Sequence, residues 1–169
     1  MRNLEECRQL PALADTVWAE RTLVERLLYK LVTAKLILAA DLRRYVPQAL
    51  EEVEDIVGQL WAAEDRRVIA LGAVATEWRV RPDELTLGHL AEEAPEPWSS
   101  MFADHHQAFA EMTSEIEQTA ADNRRLANTA LASIQTSLGN LTGVQPSTYT
   151  AQGAAASGPV RPTTIDQAM

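Results

Sequence analysis

The groups in this 169-residue chain with chemistry to offer are three histidines, one thiol and a surplus of carboxylates. Their spacing points away from catalysis. His105 and His106 are adjacent, so on a helix they point about 100° apart. Their neighbours one turn on, Phe109 and Ala110, cannot ligate a metal. Di-iron sites in helical bundles use Glu-x-x-His on facing helices, and that motif does not occur. His105 also falls on an apolar seam, which marks it as a packed histidine rather than a ligand. The run Glu51, Glu52, Glu54, Asp55 sits where a helix begins, and acids there complement the helix dipole. Cys7 is the only cysteine, so neither a disulfide framework nor a cysteine zinc site can form within one chain. There is no glycine-rich phosphate loop, no H-E-x-x-H and no G-x-S-x-G. The chain is expected not to be an enzyme and to carry no metal and no cofactor.

Charge narrows the partners. The net charge is -9, which repels nucleic acid and anionic membrane surfaces. The basic pairs Arg43–Arg44, Arg66–Arg67 and Arg124–Arg125 are scattered among acids and form no stripe. The opening residues MRNLEECRQL hold acids where a signal peptide needs an apolar run. No apolar stretch approaches the length of a membrane span of about 18 residues. The expectation is a cytoplasmic protein without nucleic acid or membrane insertion.

The elements that position these groups are helices. Ala, Leu and Glu dominate and aromatics are only 5%, a composition that suits long helices and argues against a sheet. The stretch LVERLLYKLVTAKLILAADL (23–42) has the widest apolar face. Glu25, Arg26, Lys30, Thr33 and Asp41 share one sector of roughly 160°. Almost everything else there is apolar, with Lys35 the polar intruder. Such a helix must cover apolar surface on two sides, either with helices of its own chain or with a partner.

The first helix is expected to start near Pro11 or Asp15 and to run to a break at Pro47. Its seam is Val17, Val24, Leu27, Leu31, Ala34, Leu38. A second helix follows over about 48–79, with Leu50, Val53, Val57, Leu60, Leu71, Val74 and Trp78 as its seam. Glu64 and Arg67 interrupt that seam. The two make an antiparallel hairpin. Pro82, Gly88, Pro95 and Pro97 punctuate a connector with a short helix over 83–92. The third long helix spans 98–141, with the seam Trp98, Phe102, His105, Phe109, Met112, Ile116, Ala120, Asn123, Ala127, Ala130, Ile134, Leu141. Its first half is bulky. Its second half, from Thr119, is rich in Ala, Ser, Thr and Asn, which bury less area. That half is expected to be less firmly anchored. Two readings of it stay open: a docking element for a partner helix, or the completion of the bundle. Residues 142–169 carry too few large apolar groups to offset ordering entropy and are expected to be a disordered tail. The fold expected is therefore all-α: an elongated antiparallel bundle of three long helices over 1–141, a short connector helix, and a flexible tail over 142–169.

At this point a family likeness emerges. LVERLLYKLVTAKLILAADLRRYVPQALEEVEDIV resembles the N-terminal helices of FlgN-like flagellar export chaperones, particularly the actinobacterial type. LTLGHLAEEAPEPW resembles their connector, NRRLANTAL their last helix, and STYTAQG the Tyr-x-x-x-Gly element beyond it. The likeness covers most of 13–153, in order and spacing; it stops after Gly153. It implies a cytosolic chaperone of flagellar type III export that holds hook-associated (hook–filament junction) proteins by their C-terminal helical segments, prevents premature assembly and delivers them to the export gate. It implies a client-binding helix at Asn123, Leu126, Ala127, Ala130, Leu131, Ile134, Leu138 and Leu141, and a contact of Tyr149 with an export gate component. The competing reading is a non-catalytic helical adaptor or coiled-coil scaffold. Pairing of wide apolar faces in a homodimer stays open.

Overall fold

The first helix starts on a carboxylate borrowed from the second. The computed structural model describes residues 8–142. Helix α1 (Leu10–Ala39) has Pro11 in its first turn, where a missing N–H costs nothing, and Gln9 at its N-cap makes no side-chain bond. Glu77 of helix α2 (Val46–Trp78) instead accepts the backbone N–H of Arg8 at 3.0 Å and of Gln9 at 3.1 Å. Asp15, the other expected start, lies inside α1.

The break between α1 and α2 falls earlier than Pro47. Ala39 is the last residue of α1, and Asp41 takes the left-handed conformation with φ 54°. The Asp41 N–H donates to the Leu38 carbonyl at 3.2 Å and the Leu42 N–H to the Ile37 carbonyl at 3.0 Å. This paired closure satisfies the last carbonyls of a helix and normally uses glycine. A single 3-10 turn, Arg43–Tyr45, leads on, and Pro47 sits within the first turn of α2. Proline is tolerated there, so it opens the second helix rather than ending the first. Helix α2 ends in the same closure on Arg79, φ 56°, with the Val80 N–H reaching the Ala75 carbonyl at 3.0 Å.

Cross-helix pairs fix α1 and α2 as antiparallel. Lys30 meets Glu52 at 2.6 Å, Glu20 meets Arg67 at 2.6 Å, and Glu77 holds the start of α1. Arg67, read from sequence as an interruption, is therefore a register pin. The apolar face of α2 also differs from the expected seam in its first half. Ala49, Ile56 and Ala63 are buried, whereas Leu50 is exposed and Val57 only half-buried. Alanines at the contact line let the two helices approach closely, which pushes the larger neighbours to the flank.

The connector is split. Pro82–Glu84 forms a 3-10 turn in which Arg81 pairs with Asp83, and helix α3 spans Leu87–Glu93. It starts four residues later than the expected 83 because the Thr86 hydroxyl accepts the His89 N–H at 3.1 Å and caps it. After a cis Glu96–Pro97 peptide, helix α4 (Trp98–Thr142) begins where the sequence places it. The Ser99 hydroxyl donates to the Ala91 carbonyl at 2.5 Å and ties α4 to α3.

The dense core gathers at this end. Leu10, Leu13 and Val17 of α1, Leu71, Val74 and Trp78 of α2, Leu85, Leu90 and Ala94 of the connector and Phe102 of α4 pack as one cluster. The fold is all-α. The chain divides into two compact units, Met1–Asn128 and Thr129–Met169, and the division falls within α4. The first holds the bundle of α1, α2, α3 and the start of α4. The described part of the second is the end of α4.

Candidate protein-binding surface

Within the first unit, α4 is held to α1 at two levels. Near its start, His105 is buried at 1% exposure and meets the Trp18 ring edge-on, centroids 4.8 Å apart. Phe109 lies 6.4 Å from the imidazole. Among the described residues neither ring nitrogen has a hydrogen-bond partner. Burial, with the Arg21 charge added, pushes this imidazole below the usual histidine range, and Asp104 opposes that only in part. His105 is thus a packed, neutral histidine, as its place on the seam implied.

About five turns beyond His105, the fastening is polar. Lys35 Nζ donates to Asp122 Oδ2 at 2.6 Å, and Asn123 Nδ2 donates to the Leu31 carbonyl at 2.9 Å. Hydrogen bonding to Lys35 holds the Asp122 carboxyl below the usual range despite partial desolvation. Lys35 is thus the α1 half of a clamp on α4. Asn123 serves that clamp too: its amide N–H is spent on α1, and its Oδ1 is buried with no hydrogen-bond partner among the described residues. Nearby, Leu126 is half-buried and Ala127 exposed.

In the second unit, Leu131 and Leu138 are each 54% exposed, while Ala130 and Ile134 are half-buried. Leu131, Ile134 and Leu138 are spaced by three and four, so they form one apolar stripe. Two hydroxyls on this segment turn inward to the backbone. Thr136 donates to the Ala132 carbonyl at 2.9 Å and Ser137 to the Ser133 carbonyl at 3.0 Å. The surface is therefore less polar than its composition. The side chain of Leu141 and all of Tyr149 lie outside the described residues.

Sequence reasoning missed other exposed apolar groups. On α2 these are Leu50, Trp61, Val68 and Ile69, and on α1 Tyr29 and Leu36. The spacing of seven, four and seven along Leu50, Val57, Trp61 and Val68 was the available signal. Only Leu50 and Val57 of that line belong to the expected core seam, and Trp61 and Val68 lie off it. Among the described residues no group of three or more His, Cys, Asp or Glu side chains could hold a metal, and no helix is long and apolar enough to cross a membrane. What the arrangement offers chemically is apolar helix surface, suited to binding another helix.

The model of the FlgN protein family matches residues 1–157 of the chain. No curated protein and no solved structure matches it.

Proposed function

The chain belongs to the FlgN protein family, a family of flagellar export chaperones, and we propose that its clients are hook-associated proteins, held in the cytoplasm by their C-terminal helical segments. The observation that carries this reading is the stripe of Leu131, Ile134 and Leu138, with its two leucines more than half exposed. A helical client terminus that would otherwise polymerise is occupied by such a face. Small neighbours keep the face apolar without making it adhesive, and moderate affinity lets the client leave. Delivery to an export gate component through Tyr149 completes the proposal.

Co-purification with hook-associated proteins, intact and lacking their C-terminal helices, tests it. The intact proteins should bind and the truncated ones should not. Leu131→Asp with Ile134→Asp should weaken client binding at least tenfold while helicity survives, since a charge on each of two contact positions removes their burial. A collapse of thermal stability instead makes those residues core. Tyr149→Ala should leave client binding intact and impair secretion; unchanged secretion removes Tyr149 from the site.

A further inference from the structure

Helix α2 carries a second apolar stripe, in the first unit and independent of the client reading. With Leu50 as origin, Val57, Trp61 and Val68 all fall within about 20° of one line along the helix. The line is roughly 27 Å long at 1.5 Å per residue. Trp61 is 69% exposed at its centre, and Leu50 and Val68 are each more than half exposed. A tryptophan in the middle of an exposed apolar line is the usual composition of a binding hot spot.

The charges beside the line define its partner. Glu54 and Asp65 flank it on one side and Glu64 on the other, all within about 60° of it. No basic residue of α2 falls in that sector: Arg66 lies on the far side of the helix, and Arg67 is turned to Glu20 at 2.6 Å, with Glu64 at 3.9 Å. We propose that the Leu50–Val57–Trp61–Val68 face of α2 docks a basic amphipathic helix of another protein, about five turns long, whose apolar side covers Trp61 and whose Lys or Arg residues meet Glu54, Glu64 and Asp65. Charge complementarity selects this occupant over a second copy of the chain. Two such faces would bring like carboxylates together along their length, on top of the net charge of -9.

An 18-residue helical peptide with Leu on one face and Lys on its flanks is the probe, labelled for fluorescence anisotropy against the full chain. Its counterpart carries Glu in place of Lys. The Lys peptide should bind and the Glu peptide should not, with an affinity that falls as salt rises. Trp61→Asp, which adds negative charge, should weaken binding at least tenfold, and Val68→Asp should do so as well. Both positions are exposed, and thermal unfolding of each variant checks that the bundle persists. Glu54→Lys with Asp65→Lys should reverse the preference between the two peptides. The proposal is overturned if the Lys peptide binds the Asp variants as tightly as the parent, because attraction is then only to net charge. It is overturned equally if neither peptide binds, or if the chain sediments as a dimer that Trp61→Asp dissolves, which would make a second copy the occupant.

Discussion

The two ends of the α1–α2 hairpin differ in what holds them. At the connector end, apolar side chains from α1, α2, the connector and α4 close over one another, and Phe102, Leu10, Leu13, Leu90 and Val74 are fully buried. At the turn end, Tyr29, Leu36, Leu42, Tyr45 and Leu50 stay exposed. There the helices are joined by Lys30–Glu52, Lys35–Asp122 and the Asn123 amide on the Leu31 carbonyl. Yet the sequence is more apolar at the turn end, where residues 23–42 are densest in leucine. Apolar density in a sequence therefore does not locate the core. The core forms where a third layer arrives, and the short connector with Leu85, Leu90 and Ala94 is that layer. Helix faces without it remain half-covered.

The sharpest way to break this contrast is to truncate one apolar residue at each end. Phe102→Ala removes a side chain with no exposure and should cost about 3–5 kcal/mol. Leu36→Ala, at 65% exposure, should change stability by less than about 0.5 kcal/mol. Urea unfolding followed by circular dichroism reads both. Equal losses would mean that the turn end is as much core as the connector end.

Acid sharpens the comparison, because the connector end contains a buried imidazole and the turn end carboxylates in ion pairs. The His105 imidazole titrates below its unfolded value in the folded chain, so between those two values the unfolded chain binds more protons. Stability is then complete above about pH 6.5 and declines as pH falls through that value toward the lowered folded one. The Glu52 and Asp122 carboxyls, held low chiefly by hydrogen bonds from Lys30 and Lys35, contribute above the ordinary carboxylate range and lose that contribution only as pH falls below it. The two ends thus respond in separate windows. Thermal melts from pH 7.5 to 5 should show a decline that His105→Leu flattens. A decline that persists in the variant would assign it to another group.

Much of this architecture was legible. The proline and glycine punctuation located the connector and the start of α4, and periodicity gave three long helices and the seam of α4 down to Asn123. The end of α1 was not legible, because Asp41 takes the left-handed conformation without glycine and Pro47 resembles a stop while serving as a start. The cap on α1 came from Glu77, 68 and 69 positions away from the amides it accepts. No local pattern reveals a partner at that distance. The register pins Arg67 and Lys35 were visible only as breaks in apolar seams, for the same reason. On α2, the large residues Leu50 and Val57 fitted the seam by size, and only the packing showed Ala49, Ile56 and Ala63 at the contact. At the candidate site, the stripe of Leu131, Ile134 and Leu138 was readable by spacing. The commitment of Asn123 to α1 was not.

The smallest effect tests whether the turn end is fastened by the polar clamp or merely decorated by it. Lys35 is 40% and Asp122 24% exposed in their side chains, so solvent screens the pair and its coupling should be small. Lys35→Met, Asp122→Asn and the double variant form the cycle, read at low and at high salt. The coupling should shrink with salt. Asn123→Ala should add about 1 kcal/mol of loss, and hydrogen exchange should rise in the stretch of α4 around residue 123 more than around Phe102. If exchange rises equally at both places, α4 opens as one piece and the turn end has no separate fastening. If only the stretch around residue 123 responds, the clamp sets how far along α4 the bundle extends.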